Sequence, residues 1–515
     1  TQLRGSADHP VTQGTLCPKV NRFLDRVYHP DRVLRPLRRV GPKGSDAFEP
    51  FGWDEAIDEI ASRIRALMDA GRATSILQFS FAGTQGVIQM GTMLDRLFDA
   101  VGASDVRREL CGTTSRLGAA AVLGQPFGID PLELRHSRTI LLWGTNTRIT
   151  NRHLWPTIEQ ARRDGACVIV IDPVRTDTAR AADVHLQLRP GSDVALVLAV
   201  IHQLDRQDLL DRDWIRDHTT GWSDLQASAA EWTPERAAET CGLQAERITW
   251  LAHRIATEQP TGIRTLIGSE HRSNGEQIAQ AVASLAAVLG FWRQPGGGLA
   301  RSTAVWMSQA LAKPRRTIRP SINMARLGQV LTDPQGQQRI ELLFVHNSNP
   351  AVMLPDQNQV IAGLEREDLF TVVVDQFLTD TARYADIVLP ATTQLEHLDL
   401  ADSWGHLYLA LNQPAIKPLG EALPNTEIAR RLAKALHLDD PVLGMDDEEL
   451  VRAALDSGSP YLDGISYELL QEQGWARLSV PPQARPHVDP LPGIPNGPMR
   501  LAALEHRPGP ETVGG

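Results

Sequence analysis

An eight-residue segment occurs twice in this 515-residue chain, and this repeat constrains the fold more than any other feature of the sequence. Residues 176–183 read TDTARAAD and residues 379–386 read TDTARYAD, so seven of the eight positions are identical at an offset of 203. The same offset maps Asn146 onto Asn349 and Asp172 onto Asp375. A chance likeness between two unrelated α/β units is the alternative, but it does not explain why all these matches share one register. The repeat therefore predicts two related domains.

The first copy lies in a predicted strand–loop–helix–strand unit. TILLWG at 139–144 and CVIVIDP at 167–173 are short apolar runs typical of buried strands, and a helix is predicted around 153–163 between them. A helix over 54–70 and a strand over 75–80 continue the alternation upstream. This alternation predicts an α/β fold, with two pseudo-symmetric α/β domains and mainly parallel sheets.

The loops that follow the predicted strands favour a nucleotide-like ligand in each domain, or one ligand with two similar halves. Ligands of open α/β sheets bind at the carboxyl ends of the strands. Neither the loop at 144–146 nor the loop at 347–349 contains the G-x-G-x-x-G pattern, so a simple nicotinamide dehydrogenase is disfavoured. Backbone N–H groups and asparagine amides would contact phosphates here instead.

Four cysteines are too few for a disulfide framework in a chain of this length. Cys111, in ELCGTTSRLGAAAVLG, precedes a predicted helix, where a thiol has a lowered pKa and its thiolate is a soft metal ligand. A buried structural cysteine is the alternative. Cys17 lies in a polar, loop-rich segment with Pro18 and Lys19, which is an unusual place for a core cysteine. Cys167 and Cys241 are predicted to serve packing alone.

Two further polar segments are candidate ligand contacts. The loop GSEHRSNG at 268–275 places His271 beside Arg272 between two glycines, which suits an anionic ligand or, alternatively, a solvated loop. Ser192 and Asp193 stand at the start of a predicted helix. Asp193 is predicted either to cap this helix or to bind the edge of a guanine.

The charge balance bears on the partners of the chain. It has 62 acidic and 52 basic residues, and its net charge of −10 disfavours nucleic acid as a partner. No run of 18 apolar residues occurs, so we expect no membrane-spanning helix. A small-molecule substrate is expected.

Taken together, these segments resemble the molybdopterin oxidoreductases of the dimethyl sulfoxide reductase superfamily, from about residue 5 to residue 505. The resemblance is carried by HPVTQGTLCPK, ELCGTTSRLGAAAVLG, ILLWGTN, VIDPVRTDTARAAD, LRPGSDVAL, NSNP and VVDQFLTDTARYADIVLPATTQLEH. It implies a molybdenum or tungsten ion held by two molybdopterin guanine dinucleotides. It also implies two-electron chemistry on a small substrate, with electrons passing through a [4Fe–4S] cluster to an electron-transfer protein or subunit. Cysteine ligation resembles the nitrate, formate and polysulfide or thiosulfate branches.

The resemblance implies a role for individual residues. Cys111 matches the protein ligand to the metal, Cys17 the fourth cysteine of the [4Fe–4S] site, and Lys19 the catalytic lysine between cluster and pterin. The residues implied to line the cofactor are Trp143, Gly144, Asn146, Asp172, Thr176, Gly191, Asp193, His271, Arg272, Asn349, Asp375, Thr379 and Asp386.

The implied domain organisation has four parts. Residues 1–47 correspond to a loop-rich remnant of the N-terminal cluster domain, 48–95 with 300–480 to one cofactor-binding domain, 96–299 to the other, and 481–515 to a linker. The other three cluster cysteines and the family's C-terminal β-barrel domain have no counterpart in the sequence, so it is expected to be a fragment. The expected location is cytoplasmic, with the periplasm as the alternative. A non-catalytic relative, such as the large subunits of respiratory NADH dehydrogenases, and a non-redox hydratase with the same cofactor remain alternative functions.

Overall fold

Strands and helices alternate along most of the chain in the computed structural model, which describes residues 2–312, 319–333, 339–494, 497–507 and 509. The strands are β1 (Leu37–Arg39), β2 (Phe48–Pro50), β3 (Ile76–Ser80), β4 (Asp105–Arg107), β5 (Thr139–Trp143), β6 (Cys167–Ile171), β7 (Val184–Leu186), β8 (Thr219–Thr220), β9 (Thr261–Thr265), β10 (Gly298–Leu299), β11 (Ser321–Asn323), β12 (Leu342–His346), β13 (Phe370–Asp375), β14 (Ile387–Pro390), β15 (Asp399–Ala401), β16 (Tyr408–Asn412), β17 (Trp475–Arg477) and β18 (Met499–Arg500).

The helices lie mainly between these strands. They are α1 (Phe23–Val27), α2 (Trp53–Asp69), α3 (Met93–Val101), α4 (Thr113–Leu123), α5 (Thr147–Thr150), α6 (Trp155–Arg163), α7 (Asp177–Ala181), α8 (Asp193–Arg206), α9 (Arg212–His218), α10 (Trp222–Ala230), α11 (Pro234–Cys241), α12 (Ala245–Thr257), α13 (Gly275–Val288), α14 (Ala304–Ala310), α15 (Leu327–Thr332), α16 (Pro350–Met353), α17 (Gln357–Leu364), α18 (Asn425–Ala435), α19 (Asp447–Leu455) and α20 (Tyr467–Gln473). Among the described residues, no helix has the length and apolarity needed to cross a bilayer.

Two sheets organise the molecule. The larger has the order β2-β1-β14-β13-β12-β3; its four strands from β14 to β3 are parallel, and the β1–β2 hairpin joins one edge antiparallel. The smaller has the order β10-β9-β5-β6-β7 and is parallel throughout. The predicted α/β class with mainly parallel sheets is therefore confirmed.

Both faces of the larger sheet are covered, as parallel sheets require. Along β12, Leu342 and Phe344 pack into one apolar cluster with α2 and α3, whereas Leu343 and Val345 pack into another with α15 and α17. This alternation follows from the period of two in a strand. The smaller sheet has its own core, to which the helices α8 and α13 contribute runs of buried apolar residues.

Some strands pair with strands from a different one of the four segments that the resemblance implies. β1 falls within the predicted 1–47 segment but pairs with β14, and β4 pairs with β11 although it lies within 96–299. β18, from the predicted 481–515 linker, pairs with β8 of the smaller domain. The end of that linker, residues 510–515, lies outside the described residues.

The two copies of the repeat make the same hydrogen bonds. The Oδ1 atom of Asn146 accepts from the hydroxyl of Thr178 at 2.7 Å and from its N–H at 3.3 Å. Two hundred and three residues later, Asn349 Oδ1 accepts from the hydroxyl of Thr381 at 2.6 Å and from its N–H at 3.1 Å. Each bond fastens the loop after one strand to the turn after the next strand. The repeated segment is thus a structural clamp in both domains.

Because the two clamps make the same hydrogen bonds, removing the threonine hydroxyl from either one is expected to lower the stability by a similar amount. Thr178 and Thr381 are fully buried, so replacing either by valine leaves the asparagine oxygen with one hydrogen bond fewer in an apolar setting. We expect each of Thr178→Val and Thr381→Val to lower the free energy of unfolding by about 1–3 kcal/mol. Urea titrations of the two variants test this. A clear loss in one variant beside no loss in the other would contradict the equivalence of the clamps.

Candidate functional site

A cavity of about 1050 Å³ lies where the two sheets face each other, and loops from both sheets line it. From the larger sheet, Ser80 at the end of β3 lines the cavity. From the smaller sheet, the lining includes Gly144, Asp172 and Leu266, which directly follow β5, β6 and β9. All four positions are at carboxyl ends of strands, the edge at which α/β sheets bind ligands. The volume matches the upper end of small-molecule pockets, which span about 300–1,000 Å³.

Cys111 lies on the wall of this cavity, directly before the turn into α4. Its neighbour Gly112 is held by Arg301, whose Nη2 donates to the Gly112 carbonyl oxygen at 3.1 Å. The same nitrogen donates to Glu270 Oε1 at 2.6 Å, and Glu270 accepts from the N–H of Ser115 in the first turn of α4 at 3.4 Å. The loop that carries Cys111 is therefore fixed by a buried ion pair.

The expected lowering of the Cys111 pKa by the helix N-terminus is not what the structure shows. Burial raises the pKa of the Cys111 thiol, and the carboxylate of Glu270 raises it further, while Arg301 acts in the opposite direction. Cys111 precedes the N-cap Gly112 and so stands outside the first turn of α4. Desolvation is therefore the main influence on this thiol.

Arginines give the cavity cationic groups. Arg108, Arg116, Arg264 and Arg301 all line it. Arg264, in the interior of β9, is only 2% exposed, and its Nη1 donates to the carbonyl oxygens of Ala300 and Arg301. No described carboxylate forms an ion pair with Arg264, and the buried Nε atoms of Arg264 and Arg301 have no hydrogen-bond partner among the described residues. An anionic ligand would supply the missing acceptors.

The smaller domain brings several predicted residues together. Asp172 lines the cavity and accepts from the N–H of Val174 at 2.8 Å, and burial raises its pKa. Asp193 is buried and accepts from Nε1 of Trp143 at 2.7 Å. Asp193 is the first residue of α8, one position after the N-cap Ser192, and its carboxylate hydrogen-bonds both the Trp143 indole and its own backbone N–H. Arg272 acts electrostatically on both aspartates and lowers their pKa against the effect of burial.

The backbone of the smaller domain approaches the cavity closely. Gly144 has φ +59°, and a Cβ at this position would lie 2.7 Å from the N–H nitrogen of Ser269. A side chain would therefore force these two loops apart. His271, which is exposed, has its Nε2 3.4 Å from the carbonyl oxygen of Cys111, so the predicted cationic loop meets the cysteine loop. Gly191 accepts from Asn274 Nδ2 at 2.8 Å, which ties that loop to the start of α8.

Not every predicted contact of the repeat reaches this cavity. Asn146 lines it, whereas Thr176 and Thr379 turn their hydroxyls to the N–H groups of Ala179 and Ala382. The Asn349 oxygen is occupied by Thr381, and Asp375 accepts from the N–H groups of the two residues that follow it. Asp386 directly precedes β14 and forms ion pairs with Arg39 and Lys43. It therefore lies at the amino ends of the parallel strands, whereas the cavity lies at their carboxyl ends.

Cys17 and Lys19 lie apart from the cavity lining. Cys17 is half-buried, and its carbonyl oxygen accepts from the N–H groups of Val20 and Asn21. Lys19 is exposed. Across the described ranges, no group of three or more histidine, cysteine, aspartate or glutamate side chains is arranged to hold a metal ion. Cys241, in contrast, is a core residue as predicted: it is buried, and burial raises its pKa to about 12.

Glu270 and Arg301, which hydrogen-bond to the Cys111 loop and the first turn of α4, are not among the site residues predicted from the sequence. They are 31 residues apart, and neither belongs to the repeat. Glu270 lies inside the segment GSEHRSNG, beside His271 and Arg272, which the sequence predicts as the ligand contacts. An acidic residue in a loop bounded by two glycines is a usable signal, but only the fold shows that its carboxylate turns inward.

Buried histidines make the stability of the protein sensitive to acid. Burial lowers the pKa of His346 to about 3, and it lowers the pKa values of His397, His406 and His487 to about 4. Below pH 6.5 the unfolded chain binds protons at these sites and the folded chain does not, so stability falls as pH falls from 6.5 to 4. Asp399, whose pKa burial raises to about 7, acts in the opposite direction between pH 3.8 and 7.

The balance of these groups predicts uptake of about three protons on unfolding near pH 5, or about 4 kcal/mol of stability lost per pH unit. Urea midpoints measured at several pH values test the slope. The variant His397→Gln should reduce it by about 1.4 kcal/mol per pH unit. An unchanged slope in that variant would show that His397 does not stay neutral in the folded chain.

Comparisons with known proteins agree with this geometry. The family model "Molybdopterin oxidoreductase" matches residues 32–435. The probable oxidoreductase YoaE of Bacillus subtilis (strain 168) is 39% identical over 486 residues, which cover 92% of this chain and 71% of the relative. The assimilatory nitrate reductase catalytic subunit of the same organism is 26% identical over 516 residues, covering 93% and 71%. The range matched by the family model contains every strand of both main sheets.

A solved structure shows the same fold. Acetylene hydratase from Pelobacter acetylenicus superposes with a TM-score of 0.78 at 22% identity, covering 92% of this chain and 70% of that chain. The family model spans most of the chain, including both copies of the repeat and Cys111. The chain belongs to the molybdopterin oxidoreductase family.

Proposed function

We propose that this chain is the catalytic part of an oxidoreductase that binds molybdenum or tungsten with two molybdopterin guanine dinucleotides, and that Cys111 is the protein ligand of the metal. The observation that carries the proposal is the position of Cys111 on the wall of a cavity lined by carboxyl-end loops of both sheets. A thiolate is a suitable ligand for a soft metal centre. When bound, the cofactor would supply the two-electron oxidation or reduction of a small substrate.

The described residues fit an anionic dinucleotide cofactor. Arg264 is a buried cation without a carboxylate partner, and its Nε has no acceptor among the described residues. The close approach of Gly144 to Ser269 leaves backbone groups, rather than side chains, facing the end of β5. Asp172 and Asn146 provide acceptor and donor groups along the same edge. We assign Arg264, Gly144, Asp172 and Asn146 of the smaller domain to one dinucleotide.

The role of the chain's own residues is to hold the reaction site in place. Arg301 and Glu270 fix the loop of Cys111 by hydrogen bonds to Gly112 and to the first turn of α4. Leu132, Leu154 and Trp404 border the cavity and reduce the access of water on one side. A site fixed in this way loses little energy to rearrangement when substrate binds.

A [4Fe–4S] cluster does not fit the described residues. Such a cluster needs four thiolates in one place, and within the described ranges no group of three or more histidine, cysteine, aspartate or glutamate side chains could hold a metal ion. No electron-transfer step is therefore assigned through a cluster in this chain. The proposed electron partner is a protein that accepts or donates electrons at the same cofactor.

Elemental analysis is the first test of the proposal. Purified protein should contain about one molybdenum or tungsten atom per chain, and acid treatment should release about two molecules of GMP. Viologen-linked assays with nitrate, formate and thiosulfate would then identify the substrate branch. Bound metal and GMP with no redox activity, but with hydration of acetylene, would replace the proposal by a hydratase. Absence of both from cells that load other molybdoenzymes would favour a non-catalytic relative.

A further inference from the structure

One wall of the cavity is built on a π-helical turn, a wider form of helix that is rare and is frequently found at functional sites. This wide turn spans Ile88–Thr92 and runs directly into α3. Met90 and Gly91, in the middle of the wide turn, line the cavity. The position of the wide turn therefore affects the shape of the cavity on the side of the larger sheet.

Two asparagine amides hold the carbonyl groups of the wide turn. Asn347 Nδ2 donates to the carbonyl oxygen of Met90 at 2.8 Å and to that of Gln89 at 3.3 Å. Asn425 Nδ2 donates to the Gln89 carbonyl oxygen at 2.9 Å and to Asn347 Oδ1 at 3.2 Å. Because amide side chains do not titrate, these hydrogen bonds are the same at every pH at which the chain is folded.

A carboxylate holds the N–H groups at the start of the wide turn. Asp399, the first residue of β15, is only 4% exposed, and its Oδ1 accepts from the N–H of Ile88 at 3.0 Å and of Leu400 at 2.8 Å. Its Oδ2 lies against Gly86, where a Cβ would overlap with this oxygen. The carboxylate is therefore enclosed between the backbone of β15 and the backbone that leads into the wide turn.

The charge of Asp399 changes close to neutral pH. Burial raises its pKa to about 7, against the effect of the backbone N–H groups that bind it. On α19, Asp447 adds to the rise, and it forms an ion pair with Arg430 of α18. Asn412 is opposite Asp399 on β16, and the wide turn, IQMGT, contains no titratable side chain. The hydrogen bonds of the wide turn thus depend on pH at one end and not at the other.

We propose that Asp399 is a positioning residue through which pH adjusts this wall of the cavity. The ionised carboxylate holds the Ile88 N–H by a charge-assisted hydrogen bond, whereas the protonated form accepts a weaker, neutral one. Protonation therefore loosens the start of the wide turn, and Met90 and Gly91 shift in the wall. This inference rests on the proposed function, since it concerns regulation of the same cavity, but its test needs neither metal nor GMP.

Methyl signals of the full chain labelled with [methyl-¹³C]methionine provide the test, because the chain has only eight methionines. The variant Met90→Leu identifies the Met90 signal by its loss. Between about pH 5.5 and about pH 8.5, the Met90 signal should follow a titration curve with its midpoint near pH 7. The signal of Met68, which lies on α2 and outside the cavity lining, should stay in place.

Three variants attribute the titration to Asp399. Asp399→Asn keeps an oxygen that can accept from the Ile88 N–H but has no charge, so its Met90 signal should stay near the acid position at every pH. Asp447→Asn should move the midpoint to lower pH, because a negative neighbour of Asp399 is removed. The matched control is Asp456→Asn, an exposed aspartate at the end of α19, which should titrate as the wild type does.

Amide hydrogen exchange of residues 85–92 gives a second readout. After correction for the intrinsic exchange rate, protection should be about tenfold lower below the midpoint than above it, the effect of replacing a charged acceptor by a neutral one. A Met90 signal that does not titrate, one that titrates equally in Asp399→Asn, or an unchanged midpoint in Asp447→Asn would each overturn the inference. Failure of the proposed function would appear separately, as absence of metal and GMP.

Discussion

Replacing Cys111 by alanine is expected to reduce substrate turnover by a factor of about 10³ or more while leaving the fold intact. The side chain is half-buried on the cavity wall and has no hydrogen bond to another described side chain, so its removal costs little stability. Loss of a metal ligand, in contrast, removes the group that holds the reactive centre in place. The measurement is a viologen-linked turnover assay combined with metal and GMP analysis of the same preparation.

The matched control is Cys167→Ala. Cys167 is also half-buried but is the first residue of β6, where it serves the sheet. Its variant should keep wild-type turnover and metal content. Full activity in Cys111→Ala with bound metal would show that another residue, or no residue, completes the metal coordination, and it would refute the role assigned to Cys111.

Breaking the ion pair between Arg32 and Glu396 is expected to cost about 3–5 kcal/mol of unfolding free energy. Their side chains are 1% and 0% exposed, and they approach within 2.5 Å. Arg32 also donates to the carbonyl oxygens of Val27 and Ala391, and Glu396 accepts from the N–H of Leu419. Burial opposes ionisation of Glu396, but these donors outweigh it and lower its pKa.

Two variants separate the parts of this effect. Arg32→Met leaves a buried carboxylate without its cation, so urea denaturation should show the full loss. The double variant Arg32→Met with Glu396→Leu removes both charges and should recover most of the stability, since buried ion pairs often contribute little net free energy. If the double variant is as unstable as the single one, the hydrogen bonds of Arg32 and Glu396 to backbone groups stabilise this region, and the neutralisation of one charge by the other does not.

The sequence predicted the local elements better than the contacts between them. The strand at 75–80, the strand at 139–144 and the helix at 54–70 appear as β3, β5 and α2, because apolar periodicity and turn residues determine such elements locally. The equivalence of Asn146 and Asn349 also appears in the structure, as two identical clamps. Both results depend on information within short segments.

Contacts between distant residues could not be predicted in this way. Nothing in the sequence places Asp193 against Trp143, or Glu270 against Arg301, since each pair joins separate elements. The position of Asp386 shows a second limit. The repeated segment begins near the carboxyl end of one strand and returns to the amino end of the next parallel strand. Its first and last residues therefore lie at opposite ends of the strands. Membership of a motif therefore does not establish proximity to the cavity.

The strand order of the larger sheet also has a consequence for biosynthesis. β3 pairs with β12, which the ribosome makes about 260 residues later. At about 5–20 residues per second, β3 emerges and waits roughly 15–50 s for its partner. All of its five residues, ILQFS, are buried in the final fold. The smaller domain, between these two strands in the sequence, can fold during this delay, whereas nascent β3 stays without the strand that covers its β12 side until the second half of the chain has been translated.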